Sequence, residues 1–299
     1  MLRFSVVDVP AGIRAEARAH AESVTFDDPG PLEARALRSS YWVTNQSVPG
    51  DGLAVDRSFD GIRCRVVRPD EPRAVYLHAH GGGFVLGDPA DQDRQLEGIA
   101  RKTGALVVSV AYRLAPEHPY PAGLDDCEAV AHALLDDAEL AGLPFLVGGE
   151  SAGANLAAAT LLRLRAAGRH HRFVAANLVN GVFTTGSLPS REAWGDRFTV
   201  LSLPLMAYFH EAYGGDPLDP LASPLVADLA DLPPALFTVG TEDPLLDDSL
   251  LMANRWAMAG NHAELEIWPD GVHAFDGLPT RLGTMVRRRL GAWLADHVG

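Results

Sequence analysis

The sequence predicts an α/β fold: a mainly parallel, doubly wound sheet with helices on both faces and a helical cap. Three observations carry this expectation. Short apolar runs rich in β-branched residues alternate with helix-length amphipathic stretches along most of the 299 residues. Two glycine clusters directly follow such runs, where a parallel sheet presents the carboxyl ends of its strands and holds its ligands. Two stretches interrupt the alternation, and both read as cap over that edge of the sheet.

The elements follow in order. Residues 1–52, with amphipathic segments such as Ala11–Val24, are expected to form an N-terminal cap segment. Residues 53–183 form the first part of the core. They hold strands Ile62–Arg68 and Ala74–His78, helix Asp91–Thr103, strand Ala105–Val110 and helix Gly123–Asp137. Strand Phe145–Val147 follows, then an Ala/Leu-rich helix over Ser151–Ala167, dense in strong helix formers, then strand Phe173–Val179. Residues 184–232 carry Pro189, Pro204, Pro217, Pro220 and Pro224 around a helix-like Leu203–Tyr213, and are expected to be a second cap segment. Residues 233–299 complete the core with strand Ala235–Val239, helix Asp247–Ala259, strand Ala263–Trp268 and helix Thr280–His297.

Composition bounds the function classes. A hydrophobic content of 47% with 21% charged residues is that of an ordinary globular protein. The formal net charge of −14 opposes nucleic acid or an anionic membrane as partner. No apolar run approaches the roughly 20 residues that cross a bilayer, and Met1–His20 lacks the apolar core of a secretory signal. Cys64 and Cys127 are too few and too isolated for a disulfide framework or a metal site, and are expected to be buried spectators. A cytoplasmic protein without metal or cofactor is therefore expected.

Chemistry enters with Gly149-Glu150-Ser151-Ala152-Gly153, between the strand-like Leu143–Gly148 and the Ala/Leu-rich helix. A Gly-x-Ser-x-Gly pattern arises by chance in about one chain in ten of this composition, so its context must carry it. Here a strand precedes it and a helix follows. Such a turn needs glycines where Cβ atoms would clash, exposes the serine hydroxyl, and places it at the positive end of a helix. His80-Gly81-Gly82-Gly83-Phe84 follows the strand-like Ala74–His78. Three glycines can turn successive backbone N–H groups inward, as a tetrahedral oxyanion requires. The donors expected are the N–H groups of Gly82, Gly83 and Ala152. No lysine follows the glycines, which argues against a nucleotide phosphate.

A serine hydroxyl needs a base within reach, and the base needs an acid to orient it. Downstream of Ser151 stand His170, His171, His210, His262, His273 and His297. His170-His171 reads as a solvated turn, His210 as part of the cap, His262 as a turn residue, and His297 as the end of the last helix. His273, just beyond a strand, faces the carboxyl edge and is the expected base. Asp243, in Gly240-Thr241-Glu242-Asp243-Pro244 after another strand, is the expected acid. Its rivals are Glu242, expected to point away, and Asp247 and Asp248, expected in the first turn of the next helix. Phe84, Phe209 and Tyr213 are candidates for lining a substrate pocket.

Taken together these residues resemble the hormone-sensitive lipase family of bacterial esterases (family IV), a branch of the α/β-hydrolase fold. The resemblance covers about Ala74 to Phe275. Besides the two glycine motifs it includes Asp243-Pro244-Leu245 and a distinctive Tyr112-Arg113-Leu114-Ala115-Pro116-Glu117, followed by Pro119-Tyr120-Pro121-Ala122. In the family that segment is structural and braces the active-site loops. Two departures are small: Glu150 stands where aspartate is commoner, and Ala274 where glycine commonly follows the histidine. The resemblance implies a serine carboxylesterase for short- to medium-chain acyl esters, acting through Ser151, His273 and Asp243 on a small-molecule ester. Dimerisation through a terminal strand is common in the family, so the resemblance admits a homodimer, for which the sequence itself carries no signal. The alternatives keep the fold: a deacetylase, lactonase or acyltransferase for a specific metabolite, or a non-catalytic ligand receptor such as the plant gibberellin receptors.

Overall fold

A computed structural model describes residues 1–23, 50–197 and 199–298. Nine strands form one sheet: β1 (Leu2–Val6), β2 (Val55–Phe59), β3 (Ile62–Val67), β4 (Ala74–Ala79), β5 (Ala105–Val110), β6 (Phe145–Glu150), β7 (Phe173–Val179), β8 (Ala235–Glu242) and β9 (Ala263–Val272). Their spatial order is β1-β9-β8-β7-β6-β4-β5-β3-β2. Pairing is parallel from β1 through to β5, and antiparallel where β3 meets β5 and β2. The main helices are α1 (Ala11–Ser23), α2 (Asp93–Thr103), α3 (Ala122–Asp136), α4 (Ala152–Ala166), α5 (Pro189–Glu192), α6 (Leu203–Tyr213), α7 (Leu246–Met258) and α8 (Arg281–Asp296).

The strand sequences explain which of them lie at the centre. All six residues of β4 (AVYLHA) and of β5 (ALVVSV) are buried, as continuous apolar strands covered on both faces must be. Alternate side chains then feed two cores. Val75, Leu77 and Val108 pack with Leu124, Leu156 and Trp256 of α3, α4 and α7. Tyr76, Val107 and Leu146 pack with Leu96 of α2 and Leu290 and Trp293 of α8 on the other face. The chain moves from β4 outward to β5, then returns to place β6 on β4's other side. The carboxyl ends of β4 and β6 thus flank a reversal of strand order, where open α/β sheets form their ligand crevice. Both glycine motifs leave the sheet there.

The chain start differs from expectation. Leu2–Val6 is not cap but an edge strand, paired with Ala263–Ile267 of β9 and anchored by the Met1 ammonium, which donates to Asn261 O at 2.8 Å. Edge pairing satisfies these backbone groups while most of the side chains stay exposed, so the burial pattern that marks a core strand is missing. Helix α1 packs against β9 and α8. Much of the expected N-terminal cap, residues 24–49, lies outside the described residues. Of the second expected cap segment, α5 is tied to the core by a buried ion pair. Arg191 Nη2 lies 2.7 Å from both carboxylate oxygens of Asp248, which also accepts the N–H of Phe183 at 2.8 Å.

Candidate active site

The turn at Ser151 is sharp in the way the sequence implies. Ser151 has φ 54° and ψ −118°, between the end of β6 and the start of α4. A Cβ on Gly149 would lie 2.3 Å from Ala79 O, and one on Gly153 2.0 Å from the same oxygen. Glycine is therefore required because β6 and α4 press against the end of β4. The helix start leaves the N–H of Ala152 directed away from any intrahelical acceptor.

The loop after β4 is held by the chain that surrounds it. Gly82 (φ +119°) and Gly83 (φ +60°) adopt conformations that side chains disfavour. The N–H groups of Val85 and Leu86 donate to Gly82 O at 3.1 and 2.8 Å. Tyr112 stacks on His80 with ring centroids 4.3 Å apart, and its hydroxyl donates to His80 O at 2.8 Å. His80 Nδ1 lies 2.8 Å from Gly81 O, and burial pushes the imidazole down to about 4, so it is neutral at neutral pH. Ala115 N–H donates to Phe84 O at 2.9 Å, while Arg113 is held by Asp126. Tyr112–Ala115 thus braces the loop, the role the resemblance implies. Among the described residues no backbone acceptor takes the N–H of Gly82 or Gly83.

Asp243 directly follows β8 and His273 directly follows β9, so adjacent strands bring them to one point. His273 Nε2 is 3.0 Å from Ser151 Oγ, and its Nδ1 is 3.0 and 3.1 Å from the two carboxylate oxygens of Asp243. Asp243 and His273 are only 2% and 4% exposed. The N–H of Leu245 donates to Asp243 Oδ1 at 2.8 Å and holds the carboxylate in place. Arg14 and Arg18 of α1 pair with Asp270 near the start of the base loop.

The rivals fall away for physical reasons. Glu242 is half-exposed beside Arg197; Asp247 accepts the N–H of Ser190 at 2.7 Å; Asp248 is spent on Arg191. Among the other histidines, His297 Nδ1 lies 2.8 Å from Trp293 O, and burial lowers His210 to about 4. His170 corrects the expectation of a solvated turn: it is buried, with Nε2 3.1 Å from Asp231 Oδ2, while His171 is exposed. Both cysteines are buried and free, and burial pushes the Cys64 thiol up to about 12. Glu150 backs the elbow. Burial would raise its carboxyl, but His78, 3.0 Å away, and the amide of Gln92 hold it below the usual carboxylate range.

Above Ser151 a cleft encloses about 670 Å³, counting the space at its open mouth. Phe209 lines it, lying over Gly83: a Cβ there would come within 2.2 Å of the ring. Phe84 and Tyr213 do not line it. They stack on each other with centroids 3.7 Å apart and fill the core behind the loop. Sequence reasoning missed the apolar lining residues Leu86, Val200 and Leu201 and the polar ones Gln92 and Asp276. Asp276 stands three residues after His273, which was the available signal; the others carry none.

A buried acid, an imidazole and an elbow serine, hydrogen-bonded in series at the edge of a doubly wound sheet, define the hydrolase class of this fold. The comparisons agree. A family model described as the alpha/beta hydrolase fold matches residues 76–277. Esterase LipI of Mycobacterium tuberculosis is 35% identical over 238 residues, 75% of this chain and 74% of that protein. An acetyl-hydrolase of Streptomyces hygroscopicus is 34% identical over 229 residues, 76% of this chain and 75% of that protein. A hormone-sensitive lipase from a metagenome library superposes with a TM-score of 0.84 at 28% identity, covering 99% of this chain and 100% of that one. The chain belongs to the α/β-hydrolase family, in its hormone-sensitive-lipase branch of esterases, and is a carboxylic ester hydrolase.

Proposed function

We propose that the protein is a serine carboxylesterase for short- to medium-chain acyl esters, with Ser151 as nucleophile, His273 as base and Asp243 as orienting acid. The hydrogen-bonded series Ser151–His273–Asp243, each link 3.0–3.1 Å, is the observation that carries this reading. Ser151 Oγ attacks the ester carbonyl carbon while Nε2 of His273 takes its proton. Asp243 holds the Nδ1–H tautomer and offsets the imidazolium charge. The N–H groups of Gly82, Gly83 and Ala152 receive the oxyanion, and the positive end of α4 adds to their field. Collapse breaks the ester C–O bond, and His273 returns its proton to the leaving alcohol. Water then attacks the acyl-enzyme with His273 again as base, releasing the carboxylic acid and restoring the serine. The resemblance to an acetyl-hydrolase supports small acyl groups.

Steady-state hydrolysis of p-nitrophenyl esters from acetate to palmitate, with Ser151→Ala in parallel, tests this. Turnover should peak at short chains and disappear in the variant. A variant that kept the wild-type rate would remove Ser151 from the mechanism.

A further inference from the structure

Asp276 has no part in the reaction just described, yet it lies in the wall of the same cleft. The residue is 3% exposed, and its Oδ1 has no hydrogen-bond partner among the described residues. A buried carboxylate oxygen without a donor is costly and rare in native proteins. Arg287 is close but does not pair with it: its guanidinium donates to the backbone oxygens of Asp276 and Leu278 and to Thr284 Oγ1. The carboxyl is thus left between Glu150, which repels it, and Arg287 and His273, which attract it, and burial pushes it up to about 7. Gln92 lines the same cleft. Its amide nitrogen is taken by Glu150, and its Oε1 is buried without a partner. Two residues of the cleft lining therefore each carry a buried acceptor with no donor to meet it. Against the oxyanion loop the lining is apolar instead, with Leu86 beside Gly82 and Phe209 over Gly83.

The chemistry assigns the two sides. The carbonyl oxygen must point to Gly82 and Gly83, and the leaving oxygen must lie within reach of His273, which protonates it. The alcohol portion of the ester therefore leaves past His273 and the residues that follow it, Ala274 to Gly277. We propose, resting on the esterase reading above, that Asp276 and Gln92 form an accepting subsite for the leaving alcohol. The preferred substrates are then esters of alcohols that carry a second hydrogen-bond donor, a hydroxyl or a protonated amine.

Two matched ester pairs test it, read as the ratio of kcat/KM within each pair at neutral pH. 3-Hydroxypropyl acetate against butyl acetate adds a hydroxyl. 2-(Dimethylamino)ethyl acetate against 3-methylbutyl acetate replaces a CH by a protonated nitrogen of the same shape. The wild type should favour the donor ester in both pairs by at least about tenfold, the worth of one buried hydrogen bond to a charged group. Asp276→Leu should bring both ratios to about one, and Asp276→Asn should lower the amine ratio at least about tenfold by removing the charge. If Asp276→Leu does not fold, the amine ratio in Asp276→Asn decides. Ratios near one in the wild type, or ratios unmoved by these substitutions, would overturn the subsite. p-Nitrophenyl acetate separates the two readings. If it is hydrolysed while the ratios stay near one, only the subsite fails; if it is not hydrolysed at all, the esterase reading fails first.

Discussion

Gly153→Ala should damage both the fold and the reaction, because one methyl group would enter the contact that joins the serine turn to the oxyanion loop. Its Cβ would lie 2.0 Å from Ala79 O and 2.6 Å from both Ala79 C and His80 O. All three are backbone atoms of β4 and of the loop that begins there, so no flexible side chain can move aside. Relief requires α4 and β4 to separate by about 1 Å, since ordinary contacts of this kind are no closer than about 3 Å. Overpacking a tight core costs about 1–3 kcal/mol, and an immovable backbone neighbour puts this site at the upper end, about 3 kcal/mol. The same shift would draw the Gly82 and Gly83 N–H groups away from Ser151, and losing one such donor lowers kcat by about 10²–10³. Gly98→Ala is the contrast. Gly98 sits within α2 with nothing within 4 Å of the new methyl, so the change should stabilise by about 0.5–1 kcal/mol and leave kcat/KM unaltered. Urea unfolding and p-nitrophenyl acetate kinetics on both variants read the difference. A Gly153→Ala protein with wild-type stability and rate would show that the close approach is not what the glycine serves.

Three further outcomes follow from the geometry. Asp243→Asn should lower kcat about 10⁴-fold with little change in KM, because an amide favours the wrong His273 tautomer; steady-state kinetics report both constants. Arg191→Met should cost about 3–5 kcal/mol in urea unfolding, since it leaves Asp248 fully buried without its cation. Burial already lifts that carboxyl to about 6 against the opposing pull of Arg191. Asp276→Asn should change the pH dependence of stability. The carboxyl ordinarily titrates near 3.8 but is lifted to about 7 in the fold, so the folded chain holds a proton that the unfolded chain has lost in between. Its stabilising contribution is complete at low pH and disappears as pH rises through 7. The variant should therefore match the wild type near about pH 4 and exceed it by up to about 4 kcal/mol in alkaline buffer, a difference measured by urea titration at each pH.

How much of this was legible depended on whether a feature is local in sequence. The serine turn, the glycine loop and strands β5 and β7 carry their signals within a few residues, and the structure places β5 and β7 at the expected bounds. His273 and Asp243 lie 30 residues apart, but each marks the end of a strand, and chain order selects the pair. Strands β1 and β2 escaped because edge positions leave most side chains exposed, so neither shows the buried run that marks β4. Phe84 and Tyr213 looked like pocket residues since they flank a loop and a cap helix; only the fold shows their rings turned toward each other. Gln92 carried no signal in the sequence, and Asp276 only its place three residues after His273, because an unmatched acceptor is defined by what surrounds it.

The nucleophile can be tested in a single measurement. The protein is treated with one equivalent of a p-nitrophenyl alkylphosphonate, and the intact chain and its peptides are weighed by mass spectrometry. Attack by Ser151 Oγ on phosphorus expels p-nitrophenolate and leaves a stable phosphonyl group in place of the acyl intermediate. One phosphonyl group per chain, on the peptide that contains Ser151 and absent from His273→Ala, is the result expected. A folded chain that stays unlabelled, or carries the label on another residue, would contradict the assignment of Ser151 and with it the proposed mechanism.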